Sequence, residues 1–114
     1  VKAWLSDIIH GCAMDALRLP QEKRFHRFFP LNAADFVYPA DRSARYTIIE
    51  ISMFEGRSVD AKKRLIRLLF DRLAAEFHLA PQDLEITISE TPPHNWGIRG
   101  VPGDELSLTY RVDV

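Results

Sequence analysis

Two segments of the chain repeat their apolar residues every three or four positions. The first covers residues 2–17, and the second covers residues 59–78. Residues at this spacing share one face of an α-helix, so both segments are predicted to be amphipathic helices. Ser58 provides an N-cap for the second helix, and Pro20 and Pro81 stop the two helices.

Other segments alternate apolar and polar residues with a period of two. This pattern predicts strands in residues 25–29, 46–54, 84–89 and 106–112. Proline, asparagine, aspartate and serine are frequent in residues 30–45, which we therefore interpret as a long loop.

The two helical segments are copies of one pattern. A shift of 61 residues, which brings Lys2 onto Lys63, superimposes the apolar positions of the two helices. It also superimposes a Pro-Gln-acid sequence that begins at Pro20 in one copy and Pro81 in the other. A strand pattern follows in both copies. This period indicates a duplicated strand–helix–strand unit rather than a solenoid.

The duplication predicts the domain organisation. Residues 46–91 form a complete β-α-β unit, residues 1–30 form a first unit without its leading strand, and residues 92–114 form a C-terminal strand segment. By the repeat, a segment matching the missing strand is expected upstream of Val1. We therefore expect residues 1–114 to be one α+β domain. Its duplicated units would form a four-stranded mixed sheet with two helices on one face, the first strand being missing from this chain.

Composition narrows the classes of function. The chain of 114 residues is 46% hydrophobic, which suits a globular core, and its net charge of −1 disfavours a general nucleic-acid binder. Cys12 is the only cysteine, which excludes an internal disulfide framework and fits a reducing compartment. No apolar run approaches the roughly 20 residues that span a bilayer. We expect a cytoplasmic domain without nucleic-acid or membrane partners.

Candidate ligands for a metal or cofactor are few. The four histidines show no pair at metal-ligand spacing, and no glycine-rich phosphate motif is present. Cys12 lies on the apolar face of its helix and is interpreted as a core residue. We therefore expect no metal and no cofactor.

The segment from Ile48 to Ser58, with the sequence Ile-Ile-Glu-Ile-Ser-Met-Phe-Glu-Gly-Arg-Ser, resembles the tautomerase superfamily of 4-oxalocrotonate tautomerase-like proteins. Lys62-Lys63 on the following helix, the next strand and the Asn95-Trp96-Gly97 segment match as well. The length of two units most resembles the fused, trimeric branch that includes malonate semialdehyde decarboxylase. The resemblance implies a homotrimer of β-α-β-β-α-β protomers.

The resemblance also implies an activity. It is enol–keto tautomerisation, or a related decarboxylation or hydration, of a small 2-oxo carboxylic acid. Arg57 falls on the family's turn arginine and is the implied catalytic residue, although a solvated turn arginine or an interface ion pair would explain it equally well. Arg24 and Trp96 are the implied substrate-binding residues, with a surface arginine and core packing as the structural alternatives. No cofactor is implied.

Two features depart from the family pattern. The family's general acid or base is an N-terminal proline on the first strand, which has no counterpart here; in the second unit its position holds Thr47. The α-amino group of Val1 is a base in principle, but it lies at a helix start. Glu85 replaces a second arginine of the smaller tautomerases and would repel an anion. An isomerase activity is therefore expected only if the native protein has an upstream N-terminal proline.

Two other functions stay open. The chain is alternatively a catalytically inactive structural or binding subunit on the same trimeric scaffold. It is also compatible with a ferredoxin-like regulatory domain that binds a small ligand, for which a dimer would be expected.

Overall fold

The computed structural model describes residues 1–114. It contains two long helices, one parallel pair of strands and one short antiparallel hairpin. In chain order these are α1 (Lys2–Leu17), β1 (Thr47–Phe54), α2 (Val59–Phe77), β2 (Leu84–Thr91), β3 (Gly97–Ile98) and β4 (Val101–Pro102). Neither helix is long and apolar enough to cross a membrane.

β1, α2 and β2 form the predicted β-α-β unit. β1 and β2 are parallel, with a register that runs from Thr47 opposite Leu84 to Phe54 opposite Thr91. The Ser58 Oγ caps α2 by accepting a hydrogen bond from the Ala61 amide at 3.1 Å.

Both helices pack on the same face of this sheet. Leu69 of α2 and Cys12 of α1 are fully buried at the centre of the main core cluster. Isoleucines of both strands pack against that cluster from the sheet side: Ile49, Ile51, Ile86 and Ile88. The α+β class with two helices on one face is confirmed, and Cys12 is a core residue.

The main sheet contains two strands, whereas a four-stranded sheet was predicted with only its first strand missing from this chain. Residues 24–31 make no backbone–backbone hydrogen bonds, so the strand predicted in residues 25–29 is not formed. β2 pairs with β1, and β1 is the strand that leads into α2 within the same β-α-β unit. The described chain has no such strand before α1, and residues 25–29 therefore lack a ladder partner.

The strand predicted in residues 106–112 is also wrong. Its alternation is nevertheless kept, because the even-numbered residues are half-buried and the odd-numbered ones are exposed. The segment lies along the molecule without entering a ladder, because its own amides donate only locally, from Leu106 to the Gly103 carbonyl and from Val114 to the Val112 carbonyl.

Candidate functional site

The turn from Glu55 to Ser58 joins the carboxyl end of β1 to the amino end of α2. The Glu55 amide donates to the Thr91 carbonyl at 3.0 Å, which ties the turn to the end of β2. Gly56 has φ +130°, a backbone conformation that favours glycine. Arg57 is therefore held where two strand ends meet a helix N-terminus, a position suited to an anion.

Arg57 is buried with an incomplete set of hydrogen bonds. Its residue is 7% exposed, and Nη1 donates to the Phe54 carbonyl at 3.3 Å. Its Nε is buried and has no partner. Burial lowers the pKa of the guanidinium, and the charges of Tyr110 and Glu90 oppose that shift. A buried cation with a free N–H group has both the charge and the donor that bind a carboxylate.

A second charged pair lies close to this turn. Lys62 Nζ on α2 is 2.7 Å from Glu90 Oε1 on β2. Glu90 lies opposite Met53 in the strand register, one residue before the pair that ends the ladder. Glu90 was not predicted from the sequence. Its position near the end of the second strand of the unit, close to the Arg57 turn, could have indicated it.

Trp96 reaches the same end of β1 through an aromatic contact. Its ring meets Phe54 edge to face, with centroids 5.0 Å apart and an interplanar angle of 81°. The Trp96 carbonyl accepts from the Gly103 amide at 2.6 Å. Gly103 is required there, because a Cβ would lie 2.5 Å from the Pro93 carbonyl oxygen. Phe54 thus contacts both residues: its ring packs against Trp96, and its carbonyl accepts a hydrogen bond from Arg57.

Arg24 contacts a different part of the molecule. Its Nη1 is 2.5 Å from Asp7 Oδ1 and 3.4 Å from Ser6 Oγ, both on α1. Ser6 Oγ also lies 2.7 Å from Nδ1 of His26, a pair that the sequence pattern did not reveal. No contact joins this cluster to Arg57.

Glu85 is engaged in a contact of its own. The Tyr46 hydroxyl donates to Glu85 Oε1 at 2.8 Å, and this hydrogen bond raises the pKa of Tyr46. The carboxylate is exposed on the sheet face away from the helices.

Comparison with known proteins decides the family. A model of the tautomerase enzyme family matches residues 23–99. The chain belongs to the tautomerase family. The resemblance inferred from the Glu-Gly-Arg-Ser turn is thereby confirmed, and the Arg57 turn lies inside the matched residues.

Individual relatives agree with this assignment. The chain is 35% identical over 57 residues to 2-hydroxymuconate tautomerase of Comamonas testosteroni, which covers 50% of the chain and 90% of that enzyme. It is similar to a malonate semialdehyde decarboxylase inhibited by 3-bromopropiolate, with a TM-score of 0.72 and 26% identity over 82% of this chain and 74% of that one. A fused 4-OT asymmetric trimer superimposes with a TM-score of 0.79 and 26% identity, covering 90% and 85%.

Proposed function

We propose that the Arg57 turn binds the carboxylate of a small 2-oxo acid or its enol. The protein would catalyse enol–keto tautomerisation, or a related decarboxylation or hydration, of that acid. The observation that carries this proposal is the buried Nε of Arg57, which has no partner. A carboxylate would complete the hydrogen bonds of the guanidinium and neutralise its charge. The similarity to 2-hydroxymuconate tautomerase supports this class of substrate.

The geometry supports one half of the reaction. During enol–keto conversion negative charge moves between the carbon framework and an oxygen, and a fixed guanidinium stabilises that charge in a dry site. Trp96, held against Phe54, would close the site on one side. Arg24 would serve as a second anion contact only if its bond to Asp7 opened.

The proton transfer needs a second group. Glu90 is paired with Lys62, and Glu85 accepts from Tyr46, so neither is a free base beside Arg57. We propose that a proline amine on a strand preceding α1 moves the proton, as the family resemblance implies. We also propose a homotrimer, in keeping with the similar fused 4-OT trimer.

Replacing Arg57 tests the activity. We expect Arg57→Ala to lower kcat/KM for ketonisation of 2-hydroxymuconate by about 10²-fold or more, the usual effect of losing one stabilising donor. Arg57→Lys should retain part of the activity, because charge remains while the planar fork is lost. Ultraviolet absorbance follows the reaction. The assay uses the protein as its natural gene expresses it.

Arg67→Ala is the matched control, since Arg67 is an exposed arginine of α2. An Arg57→Ala protein as active as Arg67→Ala would disprove the role of Arg57.

The burial of Arg57 also favours a second candidate function. In this conformation the Arg57 residue is 7% exposed, as expected for a scaffold residue of an inactive subunit. That function predicts no turnover of any enol acid and a loss of stability, rather than of activity, in Arg57→Ala.

A further inference from the structure

The C-terminal segment, residues 106–114, lies across the Arg57 turn. Its even-numbered side chains are half-buried against the molecule: Leu106, Leu108, Tyr110, Val112 and Val114. Its odd-numbered side chains are exposed, and Arg111 pairs with Asp113 at 3.0 Å rather than with the body of the protein. The segment therefore contacts the rest of the chain through one face only.

Two contacts place this segment on either side of Arg57. Val112 Cγ1 lies 3.0 Å from the point that a Cβ would occupy at Gly56. Ser58 Oγ donates to the Val114 carbonyl at 2.8 Å, and the Ser58 amide approaches the same oxygen at 3.4 Å. The residues before and after Arg57 are thus both covered. Tyr110, in the same segment, lies close enough to the guanidinium to influence its pKa.

These contacts conflict with access to Arg57. A carboxylate that binds Arg57 would also use the amide groups that open α2, and the Ser58 amide already faces Val114. We propose that residues 106–114 form a strap that covers the anion site and has to lift before a carboxylate reaches Arg57. The strap is thus a gate on the site assigned under the proposed function, and its relevance to catalysis rests on that function.

The strap is built to open more easily than the core. It contributes no strand to a ladder, its inward side chains are only half-buried, and hydrogen bonds from Ser58 join its end to the turn. Val114 at its end lines an open cleft of about 400 Å³ between α1 and α2. Segments with few buried contacts open locally at low free-energy cost.

Arginine labelling tests the strap without relying on activity. Phenylglyoxal reacts with accessible guanidinium groups, and peptide mass mapping reports the rate at Arg57. Val112→Lys places a cation against Gly56, the residue before Arg57, and should lift the strap by repulsion between the two cations. We expect Arg57 to be labelled at least tenfold faster in Val112→Lys than in the wild-type protein. Val37→Lys is the matched control, because Val37 is 94% exposed.

A disulfide provides a second test. The point of a Gly56 Cβ lies 3.8 Å from the Val112 Cβ, which suits a disulfide. In the double variant Gly56→Cys/Val112→Cys, oxidation should slow the labelling of Arg57 and reduction should restore it. Both states share any backbone strain at Gly56, so their difference reports the strap alone.

The outcomes separate the strap from the proposed function. Equal labelling of Arg57 in wild type, Val112→Lys and Val37→Lys would overturn the strap, as would a cysteine pair that does not oxidise. If labelling rises in Val112→Lys and 2-oxobutyrate protects Arg57 in that variant, both proposals stand. If labelling rises and 2-oxobutyrate gives no protection, the strap stands and the carboxylate site is disproved.

Discussion

Buried polar side chains in this protein differ in how completely their hydrogen bonds are satisfied. The His10 residue is 1% exposed, and its Nε2 lies 3.2 Å from the Pro20 carbonyl and 3.0 Å from the Gln21 carbonyl. Arg42 and Arg57 each have a buried Nε with no partner, but Arg42 is paired with Asp41 whereas Arg57 has no ion pair. A buried group without a partner costs about 1–3 kcal/mol, so natural proteins keep few of them. Arg57, unlike His10, therefore retains a charged donor that a ligand can satisfy.

The Ser6–His26 pair makes stability depend on pH. Burial, the charge of His10 and the charge of Arg24 lower the pKa of His26 below the usual 6.5. Asp7 faces the same cluster and is bonded to Arg24. The unfolded chain therefore binds more protons than the folded one between the two pKa values, and stability rises with pH in that range. We expect the urea midpoint to fall as the pH drops from neutral through 6.5.

The variant His26→Gln removes the titrating group and should flatten this dependence. His94→Gln is the control, because His94 is exposed. A wild-type midpoint that does not change between neutral pH and a pH below 6.5 would contradict the assignment.

Sequence reasoning identified some of these residues and missed others for a physical reason. Arg57 and Trp96 stand in local motifs, so their positions at one end of β1 followed from the order of strand, turn and helix. The contacts of Arg24 and His26 with α1 depend on how residues 18–26 fold back, which no local period encodes. The strap over Gly56 is likewise a tertiary contact between residues 56 positions apart, Ser58 and Val114.

At the scale of elements, helices were predicted more accurately than strands. α1 covers the predicted residues, and α2 ends one residue early, at Phe77. A helix satisfies its own backbone, whereas a strand needs a neighbour. Residues 25–29 and 106–112 kept their alternation and formed no ladder, while β2 continued to Thr91 beside β1.

The Ser58 hydroxyl makes one hydrogen bond to α2 and one to the strap, and substitutions can separate the contributions of these two bonds to stability. Ser58→Ala removes the bond from the Ala61 amide and the bond to the Val114 carbonyl. We expect it to lower the free energy of unfolding by about 1 kcal/mol, the usual cost of losing an N-cap. Ser58→Asp keeps the cap and cannot donate to Val114, so it should retain stability. Chemical denaturation measures both.

Ser107→Ala is the control, because Ser107 is exposed in the strap itself. If Ser58→Asp is destabilised as much as Ser58→Ala, the cap is not the source of the effect.

At the scale of the whole molecule, the single chain covers its apolar surface poorly. Its accessible surface is 7747 Å², whereas a compact monomer of 13.1 kDa exposes about 6,400 Å². Its radius of gyration is 15.5 Å against roughly 13 Å for a compact chain of this length. Phe25 and Phe29 are 80% and 75% exposed. Exposed phenylalanines on a molecule with an excess of accessible surface indicate an interface.

A homotrimer would cover that surface, and Phe29→Glu tests it. We expect light scattering of the natural protein at micromolar concentration to give a molar mass of three protomers. One protomer has the 13.1 kDa of this chain plus the mass of any further residues. Phe29→Glu should dissociate the trimer, because a carboxylate would be buried without a partner. Val37→Glu adds the same charge to an exposed loop residue and should leave the mass unchanged. A monomeric wild-type protein, or a Phe29→Glu protein that stays trimeric, would contradict an interface at the residues 25–29 segment.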